Sequence, residues 1–301
     1  MEFFNPEMSK IFLTGANGFV GSHIQESQFF KTKNFRCFDR YNVDLKDIDA
    51  IFHFAGIAHD VEGVYSKDDY FNVNLELTKR IYDEFLVSDV PLFIFLSSVK
   101  AVADKCDEPL TEYSLPNPKS TYGESKLLAE EYIISKELPI GKRFVILRPS
   151  LIYGKNNKGN LSILSKLIRI TRFWPLNSFK NARSFCYIGN LCFTLNEILN
   201  NDSFHSGVYN ISDNGSISTN DLVASIARLK NINFLKINFP IILVRALAKI
   251  GTFFNLPFDN IILEKLTQNY IVDNDKIVKE LGKPLPYSTE EGLSLTFNNL
   301  D

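Results

Sequence analysis

Lys10-Ile-Phe-Leu-Thr-Gly15-Ala-Asn-Gly18-Phe-Val-Gly21 carries a short apolar run into three glycines and then into a stretch with helical spacing. A strand, a glycine turn and a helix in that order aim backbone amides and a helix N-terminus at a pyrophosphate. Gly15 permits the tight turn, Gly18 lets a phosphate approach the backbone, and Gly21 lets the helix pack on the strand. Asn17, Phe19 and Val20 complete this loop and are read with it as cofactor-binding.

Downstream, Arg36-Cys-Phe38, Ala50-Ile-Phe-His-Phe54, Leu92-Phe-Ile-Phe-Leu96 and Phe144-Val-Ile-Leu147 are apolar runs. Such runs fit strands covered on both faces, and the stretches 74–86 and 120–136 between them have helical spacing. The alternation predicts an α/β fold: a Rossmann-type doubly wound parallel sheet with a smaller α+β substrate-binding lobe. A Gly/Asn/Lys loop after Tyr153 puts the boundary there, giving a dinucleotide-binding domain over 1–153 and a substrate lobe over 154–301. A segment near 184–200 is expected to pack back onto the first domain. Only eleven residues, 39–49, precede Ala50 after the second run, too few for a helical crossover, so the usual second helix is expected to shrink to a turn.

Composition narrows the function. The 33 basic and 35 acidic residues leave a formal charge of -2, so no global field exists to hold nucleic acid, and an anionic ligand needs a local cationic site. Cys37, Cys106, Cys186 and Cys192 lack metal-ligand spacing and read as structural thiols of a reduced, cytoplasmic protein that binds no metal. No signal peptide is read in the first residues. The apolar stretch Phe239 to Phe254 is interrupted by Arg245 and Lys249 and is too short to span a bilayer. It reads as a buried or partner-facing helix, with no stable membrane insertion.

Asp39 ends the second strand 24 residues beyond Gly15, where a carboxylate can take the adenosine ribose hydroxyls and repel a 2'-phosphate. NAD(H) is therefore favoured, while Arg40 beside it leaves NADP(H) open. Tyr122-Gly-Glu-Ser-Lys126 puts a phenol and an ammonium at i and i+4 on one helix face, and Ser97-Ser98 ends the fourth strand upstream. A tyrosine titrates near pH 10, so a neighbouring cation is needed if it is to shuttle protons near neutrality. His53 and His59 are six residues apart without a third ligand, and His53 reads as a packed or hydrogen-bonded strand residue.

These residues carry a resemblance. Thr14 to Gly21, Phe52-His-Phe-Ala-Gly56, Asn72-Val73, Leu96-Ser-Ser98, Tyr122 to Lys126 and Leu147-Arg-Pro149 stand in the order shown by extended short-chain dehydrogenase/reductases acting on nucleotide sugars. The likeness continues through Arg183 to Leu191, Val208 to Ile211 and Glu280 to Pro284. It implies Tyr122 as general acid/base, Lys126 as its pKa-lowering partner and ribose contact, and Ser98 as a second partner of the reacting oxygen. It further implies Phe54, Ala55, Gly56, Asn72 and Pro149 around the cofactor, and Asp44-Leu45 against adenine. Arg183 is implied for the substrate diphosphate. Asn160 is implied for the diphosphate or base, although helix capping explains it equally. His59 lies on a loop that should border the nicotinamide. The implied partners are a UDP-linked sugar and a second copy of the chain, paired through the helices after Asn74 and Tyr122.

Departures refine this. Val99-Lys100 follow Ser98 where the family's 4,6-dehydratases carry Asp-Glu, which disfavours dehydration. Leu151 replaces an Asn of C4-epimerases, and the short segment after Asp39 is similar to 4-ketoreductases. Reduction of a UDP-4-keto-6-deoxy-N-acetylhexosamine leads, with C4-epimerisation and a non-catalytic NAD-binding sensor as rivals. If Asp39 takes the ribose hydroxyls, calorimetry will give tighter binding of NADH than of NADPH, and Asp39→Ala will narrow the gap. A native preference for NADPH would transfer the role to Arg40.

Overall fold

Runs such as Leu92-Phe-Ile-Phe-Leu96 have no polar face to show to water, and all five residues are buried in a strand. The computed structural model describes residues 9–39, 42–58, 64–106, 108–157, 160–256 and 258–297. Its central sheet contains β1 (Lys10–Thr14), β2 (Asn34–Cys37), β3 (Ala50–His53), β4 (Leu92–Leu96) and β5 (Arg143–Pro149). Two short strands, β6 (Leu151–Tyr153) and β7 (Phe173–Trp174), precede β8 (Phe185–Tyr187), then β9 (Gly207–Ile211) and β10 (Leu235–Lys236). The six-stranded sheet has the order β2-β1-β3-β4-β5-β9 with every pair parallel.

The first helices are α1 (Phe19–Glu26), α2 (Lys67–Phe71), α3 (Leu77–Val87) and α4 (Thr121–Ser135). They are followed by α5 (Asn160–Thr171), α6 (Ile188–Leu199), α7 (Thr219–Leu229) and α8 (Ile241–Phe253). The last are α9 (Asn260–Thr267), α10 (Asp275–Leu281) and α11 (Thr289–Phe297). On one face of the sheet Ile24, Leu191, Leu195, Ile198 and Ile277 form a core with Ile11, Leu13 and Ile94. On the other, Ile81, Phe85, Ala129 and Ile133 pack on Phe12, Ile51 and Phe93. A further core joins Tyr153, Ile168, Trp174, Val223, Ala248 and Leu293. Thus α6 contributes its apolar side to the sheet, whereas α5, α7, α8 and α11 enclose a separate interior.

The β2 to β3 connection is short, as its length dictates. Among the described residues it has no helix, and Arg36 holds it by donating to the carbonyls of Asp44 and Lys46 at 3.1 and 3.0 Å. The helix read over Phe239 to Phe254 forms as α8, but it is not buried: only Val244, Ala248 and Gly251 of α8 face inward. The buried Asp213 carboxylate, just beyond β9, draws later segments together. It accepts from Tyr153 Oη at 2.9 Å and from Tyr187 N and Asn190 Nδ2 at 2.7 Å each.

One buried hydrogen-bond path positions the site. Thr14 Oγ1 accepts from the amides of Phe54 and Ala55 at 3.1 and 3.0 Å and donates to His53 Nδ1 at 2.7 Å. His53 Nε2 in turn donates to Thr78 Oγ1 at 2.9 Å, whose own proton goes to the Asn74 carbonyl at 2.7 Å. The Asn74 side chain clamps both backbone groups of Ile57 and donates to Ser125 Oγ at 2.9 Å, on α4. Asn74, rather than the Asn72 expected from the resemblance, is therefore the buried brace; Asn72 is exposed. Asn74→Leu strands the polar groups of Ile57, at about 1–3 kcal/mol each. Urea unfolding should show that loss, with Asn72→Ala staying within about 0.5 kcal/mol of the parent.

Candidate active site

The glycine turn has the shape that the sequence requires. Gly15 has φ +73°, and a Cβ there would lie 2.7 Å from Ala55 N, while one on Gly21 would lie 2.2 Å from the Gly15 oxygen. Gly18 is the N-cap of α1, and no side chain caps that end, which leaves first-turn amides for an anionic ligand. Asn17 is exposed beside it, whereas Phe19 and Val20 pack on the sheet core. Phe54 packs at a tilt against Phe52 with ring centroids 5.5 Å apart. These features fit a dinucleotide pyrophosphate. Asp39 is exposed past the end of β2, the strand next to β1. Asp44 is engaged within its own loop, 3.0 Å from Arg36, and Leu45 packs on the core below. Arg40 and His59 lie outside the described residues. Asn160 opens α5, but its side chain lies outside them too.

The proton-transfer group is assembled by close packing of α4 on the turn after β4. Ser120 caps α4 by accepting from Gly123 N at 3.2 Å and is itself held by Asp104 at 2.7 Å. A Cβ on Gly123 would approach the Lys100 carbonyl to 2.4 Å, so only glycine lets the helix sit this near to Ser98-Val99-Lys100. Ser98 and Tyr122 are consequently neighbours, near enough for the Ser98 hydroxyl to act on the phenol. Burial pushes the Tyr122 phenol up to about 12, with the Ser98 hydroxyl pulling the other way.

Lys126 is buried one turn beyond Tyr122 on α4. Its Nζ donates to the Leu96 carbonyl at 2.9 Å and lies 4.6 Å from the Phe95 ring centroid. Burial brings Lys126 down to about 8 against the opposing pull of Glu130. A Cβ on Gly56 would come within 3.1 Å of Nζ, which puts the ammonium beneath the loop after β3, on the cofactor side.

Beneath these groups lies a pair that sequence reading did not find. Glu130 receives both Nε and Nη2 of Arg148 at 2.5–3.0 Å and a hydrogen bond from Ser97 Oγ, and all three residues are buried. Pro149 follows Arg148 and ends β5 opposite Ile211. Arg148 carries part of the Leu-Arg-Pro motif, but nothing local marks Glu130 as its partner.

Arg183 lies two residues before β8. Its backbone exchanges hydrogen bonds with Ile217 at 3.0 and 2.9 Å, and its guanidinium donates to the Lys265 carbonyl. Burial lowers Arg183, and burial also lowers Lys100, with Lys265 and Arg183 adding repulsion to Lys100 and Asp104 opposing it. Lys100, Arg183 and Lys265 thus form a cationic group beside Ser98, of which the sequence singled out only Arg183 for an anion. Among the described residues no cluster of three or more His, Cys, Asp or Glu could hold a metal.

A buried phenol, a serine and a lysine under an open pyrophosphate turn define a nicotinamide-dependent short-chain dehydrogenase/reductase. Residues 11–212 match the NAD dependent epimerase/dehydratase family, and the chain belongs to it. It is an NAD(P)-dependent enzyme of the extended group. N-acetyl-alpha-D-glucosaminyl-diphospho-ditrans,octacis-undecaprenol 4-epimerase from Escherichia coli O157:H7 is 27% identical, over 95% of this chain and 93% of that one. UDP-glucose 4-epimerase from Vibrio cholerae is 24% identical over 95% and 94%. The solved UDP-N-acetylglucosamine 4-epimerase from Bacillus cereus shares the fold, with a TM-score of 0.73, 20% identity and coverage of 95% and 97%.

The state of Lys126 makes a testable link. Its amine is charged below about 8 and neutral above. If it holds the cofactor ribose, NADH affinity measured by fluorescence will fall as pH rises through that region. Lys126→Met will remove the step. Glu130→Gln, which removes the carboxylate favouring the charged amine, will move it to lower pH, and breaking the buried pair will cost about 3–5 kcal/mol of stability. A step that persists in Lys126→Met would assign the titration elsewhere.

Proposed function

We propose that the protein reduces the 4-keto group of a UDP-4-keto-6-deoxy-N-acetylhexosamine in bacterial surface polysaccharide biosynthesis, in the cytoplasm and with NADH favoured over NADPH. The observation that carries this reading is the juxtaposition of Tyr122 with Ser98 at the turn after β4, where desolvation pushes the phenol up to about 12 and Ser98 pulls it the other way. A neutral phenol is the form that can give a proton to the oxygen of a carbonyl being reduced. The bound nicotinamide supplies the hydride. Ser98 orients the carbonyl oxygen towards Tyr122, Lys126 holds the cofactor side beneath Gly56, and Arg183 with Lys100 and Lys265 receives the diphosphate. Lys100 stands where an acidic pair would drive elimination, so its charge favours binding over dehydration. A homodimer paired through α3 and α4 belongs to the same proposal.

C4-epimerisation is the second reading, favoured because the two relatives that match nearly end to end carry 4-epimerase names. There Tyr122 would take the sugar proton and later return it, with the cofactor recycled. Stoichiometry separates the two. Purified protein with UDP-4-keto-6-deoxy-GlcNAc should consume one NADH per sugar; interconversion of UDP-GlcNAc with its C4 epimer without net NADH loss would establish the epimerase. Tyr122→Phe should lower the rate by about 10²–10⁴ while retaining cofactor affinity. An unchanged rate would remove Tyr122 from proton transfer, and absence of turnover with either sugar would favour the sensor.

A further inference from the structure

The α8–α9 hairpin presents an apolar surface that remains exposed among the described residues. Ile242, Leu247 and Phe253 are 81%, 61% and 82% exposed, and Ile261 of α9 is 60% exposed. Isolated apolar residues on a surface are ordinary, but a contiguous set of large ones marks a contact. At ~100° per residue, Ile242, Ala246, Ile250 and Phe253 fall on one arc with Leu243 and Leu247 beside them. The inward stripe of Val244, Ala248 and Gly251 lies on the other side, and Arg245 and Lys249 line the border between the two.

The hairpin holds that surface outward. Gly251 has the Phe258 oxygen where a Cβ would be, at 1.8 Å, so the turn packs directly on the helix. Leu256 N donates to the Gly251 oxygen at 2.9 Å, and Asn260 N to Thr252 Oγ1 at 3.1 Å. Phe253 and Phe254, 4.9 Å apart, therefore project together from the end of α8.

Charge identifies the occupant. The chain as a whole is slightly acidic, yet no Asp or Glu lies between residues 222 and 258, a span that carries Arg228, Lys230, Lys236, Arg245 and Lys249. None lies between 138 and 196 either, the span that contains α5 with Lys166 and Arg169. Along α8 the border is basic only, while α9 adds Glu264 next to Lys265 and Asp259 caps it, so the arc of α8 is the part attracted to a negative surface. It has the pattern of a helix lying in the headgroup region of a membrane. Among the described residues no helix is long and apolar enough to cross a membrane, and α8 has 13 residues. We propose that the α8–α9 face docks the protein peripherally on an anionic lipid bilayer, with α8 lying in its surface.

The substituted residues of the docking face, Ile242, Arg245, Lys249 and Phe253, all lie on α8, apart from Lys265 of α9 and the other residues assigned to the reaction. Full-length protein should co-sediment with vesicles of phosphatidylglycerol and phosphatidylethanolamine, far less with phosphatidylcholine vesicles, and release as salt rises. Arg245→Gln with Lys249→Gln should lower the partition onto anionic vesicles by about tenfold or more, since each basic residue near such a surface contributes to binding. Ile242→Ser with Phe253→Ser should abolish it, with melting temperature and turnover of soluble substrate unchanged. Three results would overturn the proposal: no vesicle binding by the parent, binding indifferent to both double variants, or dissociation of a lipid-free oligomer by Ile242→Ser with Phe253→Ser in sedimentation velocity. The last would assign the face to a second copy.

Discussion

The neutrality of one buried imidazole constrains the whole cofactor side of the molecule. His53 sits between Thr14 and Thr78 with both ring nitrogens engaged. Thr78 gives its proton to the Asn74 carbonyl, so the ring must donate through Nε2 and accept through Nδ1. Burial, helped by the charge of Lys126, brings His53 down to about 3, and the neutral tautomer persists across the working range. From this ring the path runs one way to the amides of Phe54 and Ala55, against which Gly15 turns, and the other way to Asn74 and Ser125. The pyrophosphate turn and the helix bearing Tyr122 are consequently fixed relative to each other by side chains that touch neither ligand nor substrate.

The electrostatics of the site follow from burial offset by specific neighbours. Tyr122 is raised by desolvation and keeps its proton; Lys126 is lowered by desolvation, with Glu130 one turn further along α4 partly offsetting the drop. Glu130 in turn is neutralised by Arg148, so its influence on Lys126 is graded rather than dominant. Removing Glu130 from this set would leave Arg148 as a buried cation, which costs more than the pair itself contributes.

What could be read from the sequence was local. The glycine turn, the apolar strands, the i to i+4 Tyr–Lys spacing and the missing crossover helix each depend on residues within about one turn or strand of one another. The misreadings share the opposite character. Asn72 and Asn74 are equivalent in composition and two residues apart, and only the π-helical turn over Asn72–Glu76 decides which points inward. Glu130 and Arg148 belong to different elements, and Lys265 reaches Arg183 across 82 residues. For α8 the apolar content was plain, but a helix apolar on most of its circumference does not disclose which arc the fold will bury.

The near cancellation of charge over the whole chain conceals a separation that matters more than the total. Acidic residues are absent from residues 138–196 and 222–258, and the cations of the molecule fall into two settings. At the cleft, Lys100 is crowded by Lys265 and Arg183 in a partly desolvated space, where like charges raise one another's energy. A doubly charged anion placed among these three cations would offset that repulsion. Along α8, Arg245 and Lys249 are exposed and well hydrated, where attraction extends only about 8–10 Å at physiological salt. The first setting favours tight recognition of one anion. The second gives weak, additive attraction to a surface carrying many, and the apolar arc beside it supplies the remainder.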